Sequence, residues 1–255
     1  MTPITFLKQS IKWLRFKLLQ LEVLVKWAYW KLFLGTVPEY HSIPILINNY
    51  NRLDSLQRLI NSLESRGYRN IIILDNASSY PPLLDYYKQC KYEVIHLGVN
   101  YGFLALWKTN VYKRFKKTFY VYTDPDVVLD EQCPDDFMKV FLSSLERYPS
   151  CMKIGFGIRI DDLPDYYKDK DSVIAWESQF WENCLDGFLY KARVDTTFAL
   201  YRPFCKGGST AHLSLRTGFP YVIRHLPWYN DSNNLSEEEQ YYITHSKKAT
   251  FWTSR

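Results

Sequence analysis

A run of aromatic and β-branched residues, 118–123, ends directly in the sequence Asp124-Pro125-Asp126. Such a run predicts a buried strand. Proline cannot donate to a central ladder, so the strand is expected to end there. Two carboxylates are therefore presented at the carboxyl end of a strand, which is where open α/β sheets bind ligands. Paired oxygen ligands can hold a hard divalent cation, and that cation can in turn hold a diphosphate.

The rest of the chain alternates short apolar runs with amphipathic ones. Strands are predicted at 43–47, 70–74 and 92–97, with helices at 53–66 and 103–116. Strands that alternate with helices indicate a parallel sheet with right-handed crossovers. After the fourth strand, the pattern predicts a helix at about 134–148, strands at 153–160, 194–201 and 221–228, a loop-rich stretch at 161–187, and a last helix opened by a capping box of Ser236 and Glu239.

Length and composition indicate one domain with an appendage. A chain of 255 residues, 47% hydrophobic and 23% charged, can bury one sizeable core. We divide it into a helical segment at 1–34, a linker at 35–42, and one domain with halves at 43–130 and 131–255.

Five scattered cysteines without a Cys-x-x-Cys pair indicate neither a zinc site nor a disulfide framework, and they favour a reducing, cytoplasmic setting.

The net charge of +5 belongs to the first segment. Residues 1–34 hold six basic residues against Glu22 alone, which accounts for the whole excess. A globally basic protein that binds nucleic acid is therefore not expected.

The same segment predicts a helix with an apolar stripe. The stripe repeats at spacings of four and three, at Leu7, Ile11, Leu14, Leu18, Leu21, Val25, Ala28 and Leu32. Its charge-free stretches are too short for a membrane span of ~20 residues. Three uses remain open: a basic amphipathic helix at an anionic membrane interface, a helix packed on the domain or on a second copy in a homodimer, and a transmembrane anchor.

Four polar motifs, each at the end of a predicted strand, follow one another along the chain. They are Asn48-Asn49-Tyr50-Asn51-Arg52, Leu74-Asp75-Asn76-Ala77-Ser78, Asn100-Tyr101-Gly102-Phe103 and Asp124-Pro125-Asp126. In this order they resemble the nucleotide-binding half of family-2-like GT-A glycosyltransferases, strongly over residues 43–130 and weakly over 131–250. The resemblance implies an α/β fold with a Rossmann-like mixed sheet flanked by helices.

The resemblance also implies roles for individual residues. The nucleotide-sugar-binding set is Asn48, Tyr50, Arg52, Asp75, Asn100, Gly102 and Asp124, and the metal-binding set is Asp126, Asp124 and His225. Tyr50 can flank a base, Asp75 can accept a hydrogen bond from a uracil imide or a ribose hydroxyl, and Gly102 lets backbone approach the ligand. Oxygen ligands suit Mn²⁺ or Mg²⁺, and the imidazole of His225 favours Mn²⁺.

Glycosyl transfer further needs a group that takes the proton of the acceptor hydroxyl. The candidates are Asp195, Glu177 and Asp186, with Asp195 favoured because it opens a strand that returns towards the site. The usual Glu-Asp acid motif of the family, near a helix start, is not recognisable in this chain. That departure leaves the base unresolved among the three carboxylates.

The sequence thus predicts a metal-dependent, inverting glycosyltransferase at the cytoplasmic face of a membrane. It would move a sugar from a nucleotide donor, UDP-linked, to a glycan or lipid-linked acceptor. A nucleotidyltransferase is one alternative, although residues 48–52 lack the glycine-rich loop that grips a triphosphate. A catalytically inactive glycan-binding or scaffold protein of the same fold is the other, although the intact Asp-x-Asp and His225 argue against it.

Overall fold

The computed structural model describes residues 3–195, 197–208 and 213–246. Within these ranges the chain forms two sheets and eight α-helices. The helices are α1 (Pro3–Phe33), α2 (Asp54–Glu64), α3 (Pro81–Lys88), α4 (Ala105–Lys108), α5 (Tyr112–Phe115), α6 (Phe137–Arg147), α7 (Lys170–Ser178) and α8 (Glu237–His245). The strands are β1 (Ile45–Asn49), β2 (Ile71–Asp75), β3 (Glu93–His96), β4 (Tyr120–Thr123), β5 (Val127–Leu129), β6 (Lys153–Gly155), β7 (Gly157–Ile158), β8 (Cys184–Asp186), β9 (Leu189–Tyr190), β10 (Ala199–Tyr201), β11 (Ser214–Thr217) and β12 (Val222–His225).

The large sheet is parallel at one end and mixed at the other. Its strand order is β3-β2-β1-β4-β10-β6-β11-β9-β8, and the first four strands all run in one direction. Strand β10 is antiparallel to both of its neighbours, β4 and β6. Every residue of β1, β2 and β4 is buried, as expected for strands covered on both faces. The predicted fold class, a mixed α/β sheet flanked by helices and preceded by an N-terminal helix, is confirmed.

Alternate residues of β1 point into two different cores. Ile45 and Ile47 belong to the larger core, which α2 and α6 cover, whereas Leu46 packs with residues of α4 and α5 on the other face. This division follows from the two-residue period of a strand. The central strands are therefore packed on both faces.

A second sheet has the strand order β5-β12-β7. The chain passes from β4 of the large sheet into β5 of this one. Asp126 is the last residue before β5, so the chain enters this sheet directly after Pro125. Strand β12 is antiparallel to β5 and places His225 opposite Val127. This pairing brings a residue from the end of the chain to the Asp-Pro-Asp turn.

Several predicted elements prove to be shorter or divided. The single helix predicted at 103–116 is wrong, because it divides into a 3-10 turn, α4 and α5. The break comes at Thr109, which adopts an extended backbone while its hydroxyl donates to the carbonyl of Ala105 at 3.0 Å. The region predicted as loop-rich at 161–187 contains α7, and among the described residues of the strand predicted at 194–201, Ala199–Tyr201 form β10.

The strand predicted at 153–160 is divided between the two sheets as β6 and β7. Glycines allow this change of sheet. A Cβ at Gly157 would clash with the carbonyl oxygen of Thr217, and one at Gly155 would clash with the side chain of Val194. A side chain at either glycine position would have to displace these atoms.

Helix α1 packs on the domain through residues that lie off the predicted stripe. Val23, Trp27 and Trp30 are buried, the two indole rings stack at 5.3 Å, and both contact Phe119 just before β4. The Trp30 Nε1 atom also donates to the carbonyl of Lys117 at 2.7 Å. Among the described helices, none has the length and apolarity that crossing a membrane requires.

Candidate active site

The carboxyl ends of β1 to β4 meet at one edge of the large sheet. The register places Asn49 opposite Asp75, Asp75 opposite His96, and Ile47 opposite Thr123, the residue before Asp124. The four sequence motifs therefore line one edge, as predicted for parallel strands. This is the edge at which α/β sheets bind ligands.

Asp126 and His225 face one another at this edge. The backbone N–H of Leu226 donates to the carbonyl of Asp126 at 2.8 Å, and this bond aligns the two segments. The Asp126 Oδ2 and His225 Nε2 atoms are 3.7 Å apart, and their side chains are 17% and 15% exposed. Ligand atoms that each lie about 2.1 Å from one octahedral cation are about 3.0 Å apart at adjacent positions, so a shared ion would require these two atoms to approach by about 0.7 Å.

The surroundings of His225 favour its neutral, metal-binding form. Burial lowers the pKa of His225, and the negative charge of Asp126 only partly opposes that effect. Its Nδ1 atom is buried and has no hydrogen-bond partner within the described residues. A neutral imidazole is the form that coordinates a metal.

No group of three or more His, Cys, Asp or Glu side chains within the described residues is arranged to hold a metal ion. The predicted third ligand, Asp124, is half-buried on the same turn as Asp126. Cations that bind substrate phosphates commonly take one or two protein carboxylates and leave other positions to water and phosphate oxygens. The donor set of Asp126 and His225 is of that kind.

Arg52, predicted to bind the nucleotide sugar, is paired within the protein. Its guanidinium is buried, makes a two-pronged ion pair with Glu239 on α8, and lies 3.8 Å from the centre of the Tyr242 ring. Burial by itself would lower the pKa of Arg52, but the hydrogen bond with Glu239 and the field of Asp126 raise it. Arg52 therefore stays charged and ties α8 to the end of β1.

Sequence reasoning missed the part that α8 plays at this edge. Ser236 caps the helix as predicted, accepting from the N–H of Glu239 at 3.2 Å. The Glu239 side chain does not complete the capping box, however, because it pairs with Arg52. Glu238 accepts from the backbone N–H groups of Leu53 and Asp54 at 2.5 and 2.6 Å, so it satisfies the first turn of α2. Three consecutive glutamates carry no signal that two of them will be buried.

The asparagines of the motifs hold the turn that contains Gly102. Asn76 donates to the Gly102 carbonyl at 3.1 Å and accepts from the Tyr101 N–H at 2.8 Å. Asn100 accepts from the Gly102 N–H at 2.8 Å, and Asn48 makes a longer bond of 3.4 Å to the Gly102 carbonyl. Gly102 has φ of +69° and open space where a Cβ would stand. Glycine is the residue that adopts this backbone without strain.

Two other predicted donor-binding residues also have partners in the fold. Asp75 is buried, accepts from the N–H of Ser78 at 3.1 Å, and lies 3.0 Å from His96 Nδ1. Tyr50 donates through its hydroxyl to the carbonyl of His245 at 2.9 Å. The Oδ1 atom of Asn48, in contrast, is buried without a partner among the described residues and remains an acceptor at this edge.

The three base candidates occupy different places. Asp195 is exposed, and its charge is among those that act on His225. Beneath it, the buried Lys153 amine donates to the carbonyls of Val194 and Asp195 at 2.5 and 3.3 Å, and burial lowers the pKa of Lys153 to about 8.

The other two candidates are engaged in ion pairs. Glu177 on α7 is buried against Arg216 at 2.6 Å, and burial raises its pKa. Asp186, on β8, pairs with Arg147 of α6. Strand β8 is five strands away from β4 in the sheet. That separation is roughly 24 Å at the usual spacing of strands. Asp195 precedes β10, the strand beside β4, whereas Asp186 lies on the strand at the far edge of the sheet.

The search with family models finds no match to this chain, and the search of curated proteins finds none either. Among solved structures, the chain is similar to the mannosyltransferase PcManGT from Pyrobaculum calidifontis in complex with GDP-Man and Mn²⁺, at 11% identity and a TM-score of 0.49, over 92% of this chain and 74% of that one.

Two further solved structures are similar to this chain. One is glucosyl-3-phosphoglycerate synthase from Mycobacterium tuberculosis in complex with Mn²⁺ and UDP-Glc, at 13% identity and a TM-score of 0.41, over 79% of this chain and 74% of that one. The other is GalNAc-T7 with UDP, GalNAc and Mn²⁺, at 13% identity and a TM-score of 0.42, over 71% of this chain and 43% of that one. At such TM-scores and identities the similarity carries no conclusion about this chain, so its chemistry is argued from its own residues.

Proposed function

We propose that this protein is a metal-dependent glycosyltransferase. It takes a sugar from a nucleotide donor, UDP-linked, and transfers it with inversion to a glycan or lipid-linked acceptor. The observation that carries the proposal is the 3.7 Å approach of Asp126 Oδ2 and His225 Nε2 at the carboxyl end of β4. The motif residues that end β1 and β2 lie along the same edge.

Asp126 and His225 would hold Mn²⁺ or Mg²⁺, and Asp124 would contact the ribose, or the metal through water. When bound, such a cation neutralises the charge that develops on the leaving diphosphate. The buried Asn48 Oδ1 atom and Asp75 supply acceptors on the neighbouring strands for the nucleoside. This division assigns the diphosphate to the end of β4 and the nucleoside to the ends of β1 and β2.

Asp195 is the base in this proposal. It takes the proton of the acceptor hydroxyl while that oxygen bonds to the anomeric carbon, on the face opposite the departing diphosphate. Its exposure leaves it accessible to an acceptor, whereas Glu177 is buried against Arg216. Lys153 supports this role by holding the backbone carbonyls of Val194 and Asp195.

The direct test is donor turnover with Mn²⁺ for the wild type and for Asp126→Ala, over a panel of nucleotide sugars. We expect turnover to fall by about 10²–10³ or more, as for loss of a group that stabilises developing charge. Asp85→Ala, at an exposed aspartate on α3, is the matched control and should leave turnover unchanged. Equal rates for Asp126→Ala and the wild type would reject the proposal.

Calorimetry with UDP, with and without Mn²⁺, separates the alternatives. Mn²⁺-dependent binding without a glycosylated product would indicate an inactive glycan-binding or scaffold protein. Release of pyrophosphate from a nucleoside triphosphate would indicate a nucleotidyltransferase.

The proposal includes a place of action, the cytoplasmic face of a membrane, with residues 1–34 in contact with the lipid. A homodimer through the same helix is the competing use of that segment.

A further inference from the structure

Helix α1 presents two apolar faces, and the domain covers one of them. Phe16, Val23, Trp27 and Trp30 lie against the domain. The opposite face, here called the outer stripe, consists of Leu7, Ile11, Leu14, Leu18, Leu21, Val25, Ala28 and Leu32. Its large side chains are between 43% and 75% exposed. The predicted stripe is therefore the face that tertiary packing leaves uncovered.

The outer stripe is long and continuous. At 1.5 Å per residue it extends about 38 Å along the helix from Leu7 to Leu32. Soluble monomers rarely expose apolar surface of this extent, and such surfaces mark contacts with a partner or a membrane.

Basic side chains border the outer stripe on both sides. With 3.6 residues per turn, Lys8, Arg15 and Lys26 lie along one side, and Lys17 and Lys31 lie along the other. The acidic residue of this helix, Glu22, pairs with Lys26 at 2.5 Å. An apolar stripe between two basic margins suits an anionic lipid surface. The aliphatic parts of the lysine and arginine side chains can enter the acyl layer while their charged ends reach anionic headgroups.

The same margins disfavour a second copy of α1 as the occupant. If two such helices paired through their outer stripes, the basic margins of each would face the basic margins of the other in either orientation. In paired helices the positions beside the apolar seam normally carry opposite charges. The charge pattern is thus complementary to anionic lipid and not to itself.

We propose that the outer stripe of α1 docks this protein onto an anionic lipid surface. Helix α1 packs at the amino end of β4, through Phe119, whereas Asp124 and Asp126 follow its carboxyl end. Five residues of extended chain separate Phe119 from Asp124, about 16 Å. Docking in this way leaves the candidate site at the other end of β4 from the helix. The inference rests on the membrane contact that the proposed function includes and deepens it, but it does not require the proposed chemistry.

The test is sedimentation of the full chain with vesicles of phosphatidylcholine, with and without phosphatidylglycerol. We expect binding to the anionic vesicles, weaker binding at high salt, and little binding to phosphatidylcholine alone. The double variant Leu18→Glu/Leu21→Glu should lower the vesicle partition coefficient by about tenfold or more, because it places charge on the buried side of the interface. Leu185→Glu, at an exposed leucine of β8, should bind like the wild type.

A second variant, Arg15→Gln/Lys17→Gln, removes one basic residue from each margin and keeps the apolar stripe. It should weaken binding to anionic vesicles and reduce its dependence on salt. The proposal is overturned if the wild type does not bind anionic vesicles, or if the glutamate variant binds them equally well. It is also overturned if sedimentation velocity shows a dimer that the glutamate variant dissociates. Donor turnover without vesicles should be the same for all these variants, so failure of docking is distinct from failure of the proposed glycosyl transfer.

Discussion

Two sides of the candidate site differ in how their polar side chains are satisfied. On the nucleotide side, formed by the ends of β1 and β2 and the turns after them, Arg52, Asp75 and Asn76 all have short contacts to other protein groups. On the metal side, formed by Asp126 and His225, the facing atoms are 3.7 Å apart, which is too long for a hydrogen bond.

This difference indicates that the two sides are preorganised for a ligand in different ways. The nucleotide side is shaped in advance by its own bonds, so a ligand there meets a rigid surface. The metal side keeps ligand atoms available, so a cation can complete it. Substitutions on the nucleotide side should therefore lower the free energy of unfolding, whereas substitutions on the metal side should lower the affinity for Mn²⁺.

The largest effect is expected at the Arg52–Glu239 pair. Glu239→Gln leaves the buried guanidinium of Arg52 without its counter-charge, which should lower the free energy of unfolding by about 3–5 kcal/mol. Urea unfolding measures this loss. Glu237→Gln, at an exposed glutamate of the same helix turn, is the control. Equal midpoints for the two variants would show that the pair is not a structural element of the nucleotide side.

Lys153, the first residue of β6, is a buried charged group whose amine contacts the backbone of Asp195. Burial lowers its pKa from 10.5 to about 8. Between these values the unfolded chain binds more protons than the folded one, so Lys153 makes stability rise with pH in this window. The shift corresponds to about 3 kcal/mol, since each pKa unit is worth about 1.4 kcal/mol. Lys153→Met should flatten the rise between about pH 8 and pH 10, measured by urea unfolding. An unchanged slope would contradict the buried, charged lysine.

On the metal side, His225→Gln should weaken Mn²⁺ binding by at least the roughly 10–100-fold that loss of an outer-shell partner costs, because His225 is a direct ligand in the proposal, with little change in the free energy of unfolding. Titration of free Mn²⁺ by paramagnetic resonance, in the absence of UDP, measures the affinity. His96→Gln changes a histidine of the nucleotide side and should leave that affinity unaltered. If both variants lose Mn²⁺ equally, the division into two sides fails.

The smallest effect is expected for the turn around Gly102. Asn76→Ala removes the bonds to the Tyr101 N–H and the Gly102 carbonyl, and it should cost about 1–2 kcal/mol of stability. Asn100→Ala affects an exposed residue and should cost less. Thermal unfolding compares the two variants, and Mn²⁺ affinity should be unchanged in both. A loss of Mn²⁺ affinity in Asn76→Ala would mean that the turn shapes the metal side as well.

The central strands could be predicted because each is an apolar run that ends in polar residues. Isoleucine-rich β1 and β2 are buried on both faces, so local composition and tertiary environment agree. The region at 103–116 could not be predicted as three pieces, because its apolar spacing is helical throughout. Its division depends on contacts across the fold, such as the bond from the Trp107 indole to the Tyr120 hydroxyl at 3.0 Å.

Pairs between distant residues were beyond prediction for a related reason. Glu239 lies 187 positions after its partner Arg52, and neither residue carries a local sign of the other. A capping box and a buried ion pair use the same residue type at the same position of a helix. Only the approach of α8 to the end of β1 distinguishes them.

From the sequence alone come the order of strands and helices, the four polar strand ends and the apolar stripe of α1, because each depends on neighbours along the chain. The tertiary structure decided which of these residues bond to one another, which face of α1 the domain covers, and how closely His225 approaches Asp126, a pair that the resemblance had only implied. Those outcomes depend on separations through space, and no local pattern of residue types encodes them.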